Sequence, residues 1–218
     1  MPGLFITMEG PDGAGKTTVI EKLIPLLEER TNVTITSTRE PGGSRIAEDI
    51  RQIILDVQNV EMDVRTEAIL YAAARRQHLT DRILPNLEKG GIVFCDRFVD
   101  SSLVYQGVAR GIGVEAVYQL NQFATAGKTP DVTLYLDVPA EIGLERIHLA
   151  KGNRQFDRLD QEGLQFHKMV RQGYLDIIPT DPERFIQIDA TKTVDEVVQE
   201  CLTALVDRYP EYFTNGER

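Results

Sequence analysis

Gly10-Pro11-Asp12-Gly13-Ala14-Gly15-Lys16-Thr17-Thr18 follows an apolar run, Leu4 to Met8, and leads into a stretch of helical period that starts at Lys16. The spacing is G-x-x-x-x-G-K-[ST], set between a strand and a helix as that motif requires. Glycine lets the backbone curl so that successive N–H groups point inward and cradle phosphate oxygens. The helix behind the loop adds its positive end. Lys16 is placed to bridge β- and γ-phosphates, and the Thr17 hydroxyl to ligate Mg2+. Gly10, Pro11, Asp12, Gly13, Ala14, Gly15, Lys16, Thr17 and Thr18 are therefore the expected site for ATP.

Outward from this loop, apolar runs alternate with helical segments. The runs are Leu4 to Met8, Val33 to Thr38, Gly91 to Cys95, Val132 to Val138 and Phe185 to Ile188. Several are nearly continuous in apolar residues, as strands covered on both faces must be. Helical period marks Lys16 to Arg30, Ser44 to Leu55, Arg65 to Asn86, Val114 to Ala126, Ala140 to Ala150, Leu159 to Ile178 and Val194 to Arg208. The expected fold is α/β, of the P-loop NTPase kind, with a parallel sheet of about five strands and helices on both faces. No repeat or linker interrupts it, so residues 1–218 read as one domain. The polar, Arg-bearing segment Lys151 to Asp160 (K-G-N-R-Q-F-D-R-L-D) reads either as a small mobile lid or as an ordinary loop between helices.

Composition narrows the partners. The net charge of −10 argues against a nucleic-acid or anionic-membrane binder, which needs a basic excess. No stretch approaches the roughly 18 to 20 apolar residues of a membrane span. The N-terminus lacks a basic segment followed by an apolar one, so no secretory signal is expected. Cys95 and Cys201 lie in apolar runs without metal-ligand spacing and read as reduced core thiols of a cytoplasmic protein. Arg outnumbers Lys 17 to 7 in the basic minority. Its planar fork suits phosphate and carboxylate, so a small anionic ligand in a local pocket is one reading and scattered surface ion pairs the other.

In an open parallel sheet, ligands sit beyond the carboxyl ends of the strands. Thr38-Arg39-Glu40-Pro41-Gly42-Gly43 follows the second strand and brings Arg39 to that edge. Val93-Phe94-Cys95-Asp96-Arg97 ends the third in two charges. Asp96 could support Mg2+ and Arg97 hold a phosphate on the acceptor, or the two could pair with each other. Tyr71 and Arg75 lie four apart on one helix face, where a ring can stack on a base and an arginine reach its edge. His78 has no evident partner and reads as structural. The N-K-x-D motif by which many GTPases read guanine is absent, and 218 residues leave little room for the extra domains of ATPase machines. A small kinase is favoured.

Taken together, G-P-D-G-A-G-K-T-T, T-R-E-P-G-G, L-Y-A-A-A-R-R-Q-H, D-R-F-V-D-S-S-L-V-Y-Q-G and the late D-R-L-D resemble the thymidylate kinase family, over almost the whole chain. The resemblance implies transfer of the ATP γ-phosphoryl group to dTMP, with Mg2+, in a homodimer. It implies that Tyr71 stacks on thymine, that Arg75 and Gln106 read the base edge beside Ser102, and that Tyr105 crowds the sugar C2′. Arg51 and Arg97 match binders of the acceptor phosphate, Asp12 the acid near the 3′-hydroxyl, and Arg39 and Glu40 the loop that shapes the pocket. Some relatives carry a catalytic arginine inside the phosphate loop, where this chain has Gly13; others carry it in the lid, where Arg154 and Arg158 are the candidates. Lys16 and Arg97 complete the catalytic set, with Thr17 and Asp96 for the metal. Ala74 and Val104 depart from the usual residues and weaken expectations about base selectivity. Another acceptor such as dUMP, and a non-catalytic nucleotide-binding protein, are the rival readings.

Overall fold

β1 (Leu4–Glu9) is buried along its whole length, and the rest of the architecture follows from having to cover both of its faces. A computed structural model describes residues 1–149 and 162–214. Leu4, Ile6 and Met8 point to one side, where α1 (Lys16–Glu28) and α9 (Val194–Arg208) bring Leu23, Leu27, Cys201, Leu202 and Leu205 against them. Phe5 points to the other side and packs with Leu79, Ile83, Val93, Cys95 and Phe98. A fully buried leucine or phenylalanine contributes about 1.5–3 kcal/mol, so this double-sided burial dominates the central strands.

β2 (Ile35–Arg39), β3 (Ile92–Asp96), β4 (Val132–Asp137) and β5 (Phe185–Asp189) complete a wholly parallel sheet in the order β2-β3-β1-β4-β5. β3 and β4 are central and buried like β1, whereas β2 and β5 form edges of mixed burial. The order reverses at β1, which places the ligand crevice beyond the carboxyl ends of β1, β3 and β4. These strands end in Glu9, Asp96 and Asp137. α2 (Arg45–Leu55), α6 (Val114–Thr125), α7 (Ala140–Leu149) and α8 (Leu164–Ile177) fill the other layers.

Two helical expectations change. The segment expected as one helix from Arg65 to Asn86 is α3 (Val64–His78), a wide π-helical turn at Leu79–Ile83, and α4 (Leu84–Glu88). Pro85 lacks an N–H and its ring crowds the preceding turn, which widens in response. No helix was expected between Arg97 and Gly113, yet α5 (Val99–Ser102) runs there into a π-helical stretch, Leu103–Ala109. The helix expected from Leu159 is described only from Leu164, after Gly163 in extended conformation. Its first expected residues, and the lid segment 151–160 with Arg154 and Arg158, lie outside the described residues. Cys95 and Cys201 are free and buried as expected, and burial pushes the Cys201 thiol up to about 12. No helix among the described residues is long and apolar enough to cross a membrane.

Candidate active site

The loop after β1 takes the conformation its glycines permit: Gly10, Gly13 and Gly15 have φ of 147°, 79° and 86°. Gly15 caps α1 without a side-chain hydrogen bond, and no acidic residue occupies the first turn. The positive end of α1 is thus left uncompensated, as an anion site requires. Lys16 Nζ donates to the carbonyls of Gly10 and Pro11, both at 2.9 Å. Burial, and then Arg97, pull its ammonium down to about 8. Thr17 and Thr18 are exposed. They line a cavity of about 840 Å3 together with Asp12, Arg51, Asp96, Arg97, Arg146, Lys192 and Thr193.

Gly13 has room for no side chain. A Cβ there would lie 2.1 Å from the Gly143 carbonyl oxygen of α7, and Gly143 in turn abuts the Asp12 carbonyl. Arg146, one turn further along α7, donates to the Ala190 carbonyl at 2.9 Å and crosses the loop.

Arg97 begins the sharp exit from β3. Its φ of 69° is unusual for a residue with a side chain and costs about 1–3 kcal/mol. The conformation is held by Arg97 N donating to the Met8 carbonyl and Phe98 N to Glu9 Oε1. The guanidinium donates to Asp12 Oδ1 at 2.5 Å, Ser101 Oγ at 3.0 Å and the Tyr105 hydroxyl at 3.1 Å. Tyr105 in turn donates to Asp12 Oδ2. Arg97 therefore pairs with Asp12 and not with its neighbour Asp96, against the mutual pair that the sequence left open. Burial opposes charge on Asp12, but Arg97 and Lys16 overcome it and hold the carboxyl at about 2. Asp96 Oδ1 is buried without a hydrogen-bond partner, as an oxygen that awaits a cation or water would be.

Arg75 centres a second knot. It is 2% exposed and donates to Glu40 Oε2 at 2.6 Å, to Ser102 Oγ at 3.0 Å, to the Phe98 carbonyl at 2.9 Å, and to Asn121 Oδ1. Gln106 Nε2 donates to Glu67 Oε1 at 2.8 Å. Tyr71 is half-buried one turn before Arg75. Arg51 donates to the Pro41 carbonyl and faces the cavity. Arg39 is exposed and pairs with Glu48 beside the turn at Pro41–Gly43.

Several groups at the site escaped sequence reasoning. Glu9 lies under Arg97 and accepts from Phe98 N, Ser101 Oγ and the Tyr174 hydroxyl; burial, and then Asp100, push its carboxyl up. A lone acid closing an otherwise apolar strand was its signal. Tyr174, Arg146 and Lys192 arrive from elements far along the chain, and local pattern gave no sign of them.

A family profile described as Thymidylate kinase matches residues 8–201. The thymidylate kinase of Latilactobacillus sakei subsp. sakei (strain 23K) is 57% identical over 205 residues, covering 94% of this chain and 95% of that protein. That of Lacticaseibacillus casei (strain BL23) is 55% identical over 213 residues, 98% of this chain and all of that protein. The crystal structure of thymidylate kinase from Ehrlichia chaffeensis superimposes with a TM-score of 0.75 at 30% identity, over 94% of this chain and all of that one.

Proposed function

The chain belongs to the thymidylate kinase family, and from that premise we propose how its residues pass the γ-phosphoryl group of ATP to dTMP, giving dTDP and ADP. The observation that carries the assignment is a juxtaposition. The uncompensated end of α1 and the Asp12–Arg97–Tyr105 knot share one rim of the sheet, so two phosphate-bearing ligands meet there. Phosphoryl transfer asks little covalent chemistry of a protein; positioning and charge neutralisation do most of the work.

Lys16, the loop amides and Thr18 take the ATP phosphates, and the ammonium leaves the carbonyls of Gly10 and Pro11 to do so. Thr17 and Asp96 fit Mg2+, since an exposed hydroxyl and an unpartnered carboxylate oxygen are the hard donors it prefers. When bound, Mg2+ neutralises phosphate charge. Arg97 and Arg51 hold the acceptor phosphate, and Asp12 faces the sugar 3′-hydroxyl while keeping Arg97 aimed. Tyr71 stacks on thymine, Arg75 and Gln106 read its edge beside Ser102, and Tyr105 closes the C2′ side against a ribose hydroxyl. Arg39 and Glu40 shape the loop around the base.

The cation for the moving phosphoryl group comes from the lid, residues 151–160 of the one domain, with Arg158 acting and Arg154 assisting. The contact between Gly13 and Gly143 supports this, because it leaves no space for an arginine in the loop itself. Lid closure excludes water that would otherwise hydrolyse ATP. We assign the enzyme to the cytoplasm as a homodimer joined across α3 and α6.

The test compares the wild type and Arg158→Ala on dTMP, dUMP and thymidine, with ATP and Mg2+. We expect dTMP to be preferred, and the variant to lose on the order of a thousandfold in kcat with dTMP affinity nearly unchanged. A preference for thymidine refutes the acceptor assignment, and a wild-type kcat in the variant refutes the lid assignment.

A further inference from the structure

His78, which the sequence reads as structural with no evident partner, is wholly buried in α3, three residues beyond Arg75, and has partners on both ring nitrogens. Nδ1 lies 3.0 Å from Glu40 Oε1, and Nε2 lies 2.7 Å from Thr38 Oγ1. The second Glu40 oxygen takes the Arg75 Nε–H at 2.6 Å. An ionised carboxylate only accepts, so the proton sits on Nδ1, and in a neutral ring Nε2 accepts from the threonine hydroxyl. Donation thus runs from Thr38 to His78 to Glu40, and Arg75 donates into the same carboxylate from its other side. The main chain closes on the same ring: at Gly43, with φ of +85°, a Cβ would lie 2.4 Å from His78 Nε2. The imidazole is the post around which residues 38–43 turn.

Glu40, His78 and Cys95 place ligand atoms within 4.8 Å of one another, which invites a metal reading. The hydrogen bonds argue against it. Both carboxylate oxygens and both ring nitrogens are in use, and the Cys95 thiol, pushed up by burial, donates to the Arg97 carbonyl. An ion here would have to break a hydrogen bond of the His78 ring and take the proton from the buried Cys95 thiol.

We propose that His78 is a positioning residue for the acceptor: through Glu40 it fixes the fork of Arg75, and through Thr38 and Gly43 it fixes the loop beside the base. The proposal rests on Arg75 reading the base edge, as argued above. Arg75 spends four donors on protein acceptors, so its remaining N–H points usefully only while Glu40 is held still.

The test measures KM for dTMP, KM for ATP and kcat in His78→Phe, His78→Gln, His78→Asn and Arg75→Lys, and in the double variant His78→Phe/Arg75→Lys. Phe keeps the bulk and loses both bonds, whereas the Asn amide can replace Nδ1 as donor to Glu40. Losing one hydrogen bond to a charged group corresponds to about a tenfold rise in KM for dTMP in His78→Phe, with KM for ATP within twofold. Asn should avoid most of that rise and Gln little of it, so the pair decides even if the Phe variant folds poorly. The double variant should be no worse than Arg75→Lys alone. Equal losses in both KM values and kcat, without rescue by Asn, overturn the proposal in favour of simple fold support. Stoichiometric zinc in the purified wild type, lost in His78→Asn, overturns it in favour of a metal site. An unchanged KM for dTMP in Arg75→Lys refutes the base-reading role itself, a failure distinct from that of His78.

Discussion

Asp12 stays charged in a half-buried position because Arg97 and Lys16 stand beside it, and that balance has a signature in pH. Its folded pKa of about 2 lies below the usual value, so the unfolded chain binds the proton more readily. The carboxylate therefore adds stability above about pH 4, of about 2 kcal/mol, which is lost as pH falls toward 2. Urea unfolding of the wild type and Asp12→Asn from pH 6 to pH 2 should show a gap between them that narrows over the lower half of that range. A gap independent of pH would mean that Asp12 is protonated or unpaired in the folded protein. At this scale the sequence was half legible. Motif spacing marked Asp12 and Arg97, but their union depends on β1 and β3 being neighbours in register, with Met8 opposite Asp96. His78 was unreadable for the same reason: its partners lie 38 and 40 residues away on a strand end and a loop.

The strands were legible because a parallel sheet buried on both faces needs nearly continuous apolar runs, and β1, β3 and β4 have them, broken at most by a buried threonine and a terminal acid. The stretch from Leu103 to Ala109 was not, since consecutive buried Val104, Tyr105, Gln106 and Gly107 erase any 3.6-residue period. The wide turn brings both Tyr105 and Gln106 inward. The meeting of α7 with the phosphate loop was also hidden, although Gly143 was visible as a glycine in a helical run. Gly143→Ala sets two effects against each other. Alanine favours the helix by up to about 1 kcal/mol, but its Cβ would stand 2.7 Å from the Asp12 carbonyl. A backbone oxygen cannot swing aside, so the clash should win and push α7 off the loop. We expect Tm to drop by about 2–4 °C and KM for ATP to rise about tenfold, more than KM for dTMP. A more stable variant with unaltered ATP kinetics would show that α7 rides freely on the loop.

Across the whole molecule, α3 serves two surfaces. Its inner side carries Arg75 and His78 into the hydrogen-bonded knot around Glu40, and its outer side leaves Ile69 56% exposed. On neighbouring α6, Tyr118 and Phe123 are also turned outward, Phe123 to 88%. Three large apolar side chains on adjoining helices are costly to leave in water, and a two-fold contact would bury each of them twice. At about 1.5–3 kcal/mol for a fully buried phenylalanine, Phe123 alone would contribute substantially to such a dimer. Phe123→Glu would put a carboxylate into such a contact on each copy and remove that contribution. Sedimentation should then give twice 24.5 kDa for the wild type and a single chain mass for the variant. Because α6 packs against α3, which holds Arg75, separation should also loosen that side of the crevice and raise KM for dTMP severalfold, while the phosphate loop keeps its grip on ATP. A wild type that sediments as a monomer removes the dimer. A monomeric variant with unchanged dTMP kinetics keeps the dimer but shows that α3 does not couple the two surfaces.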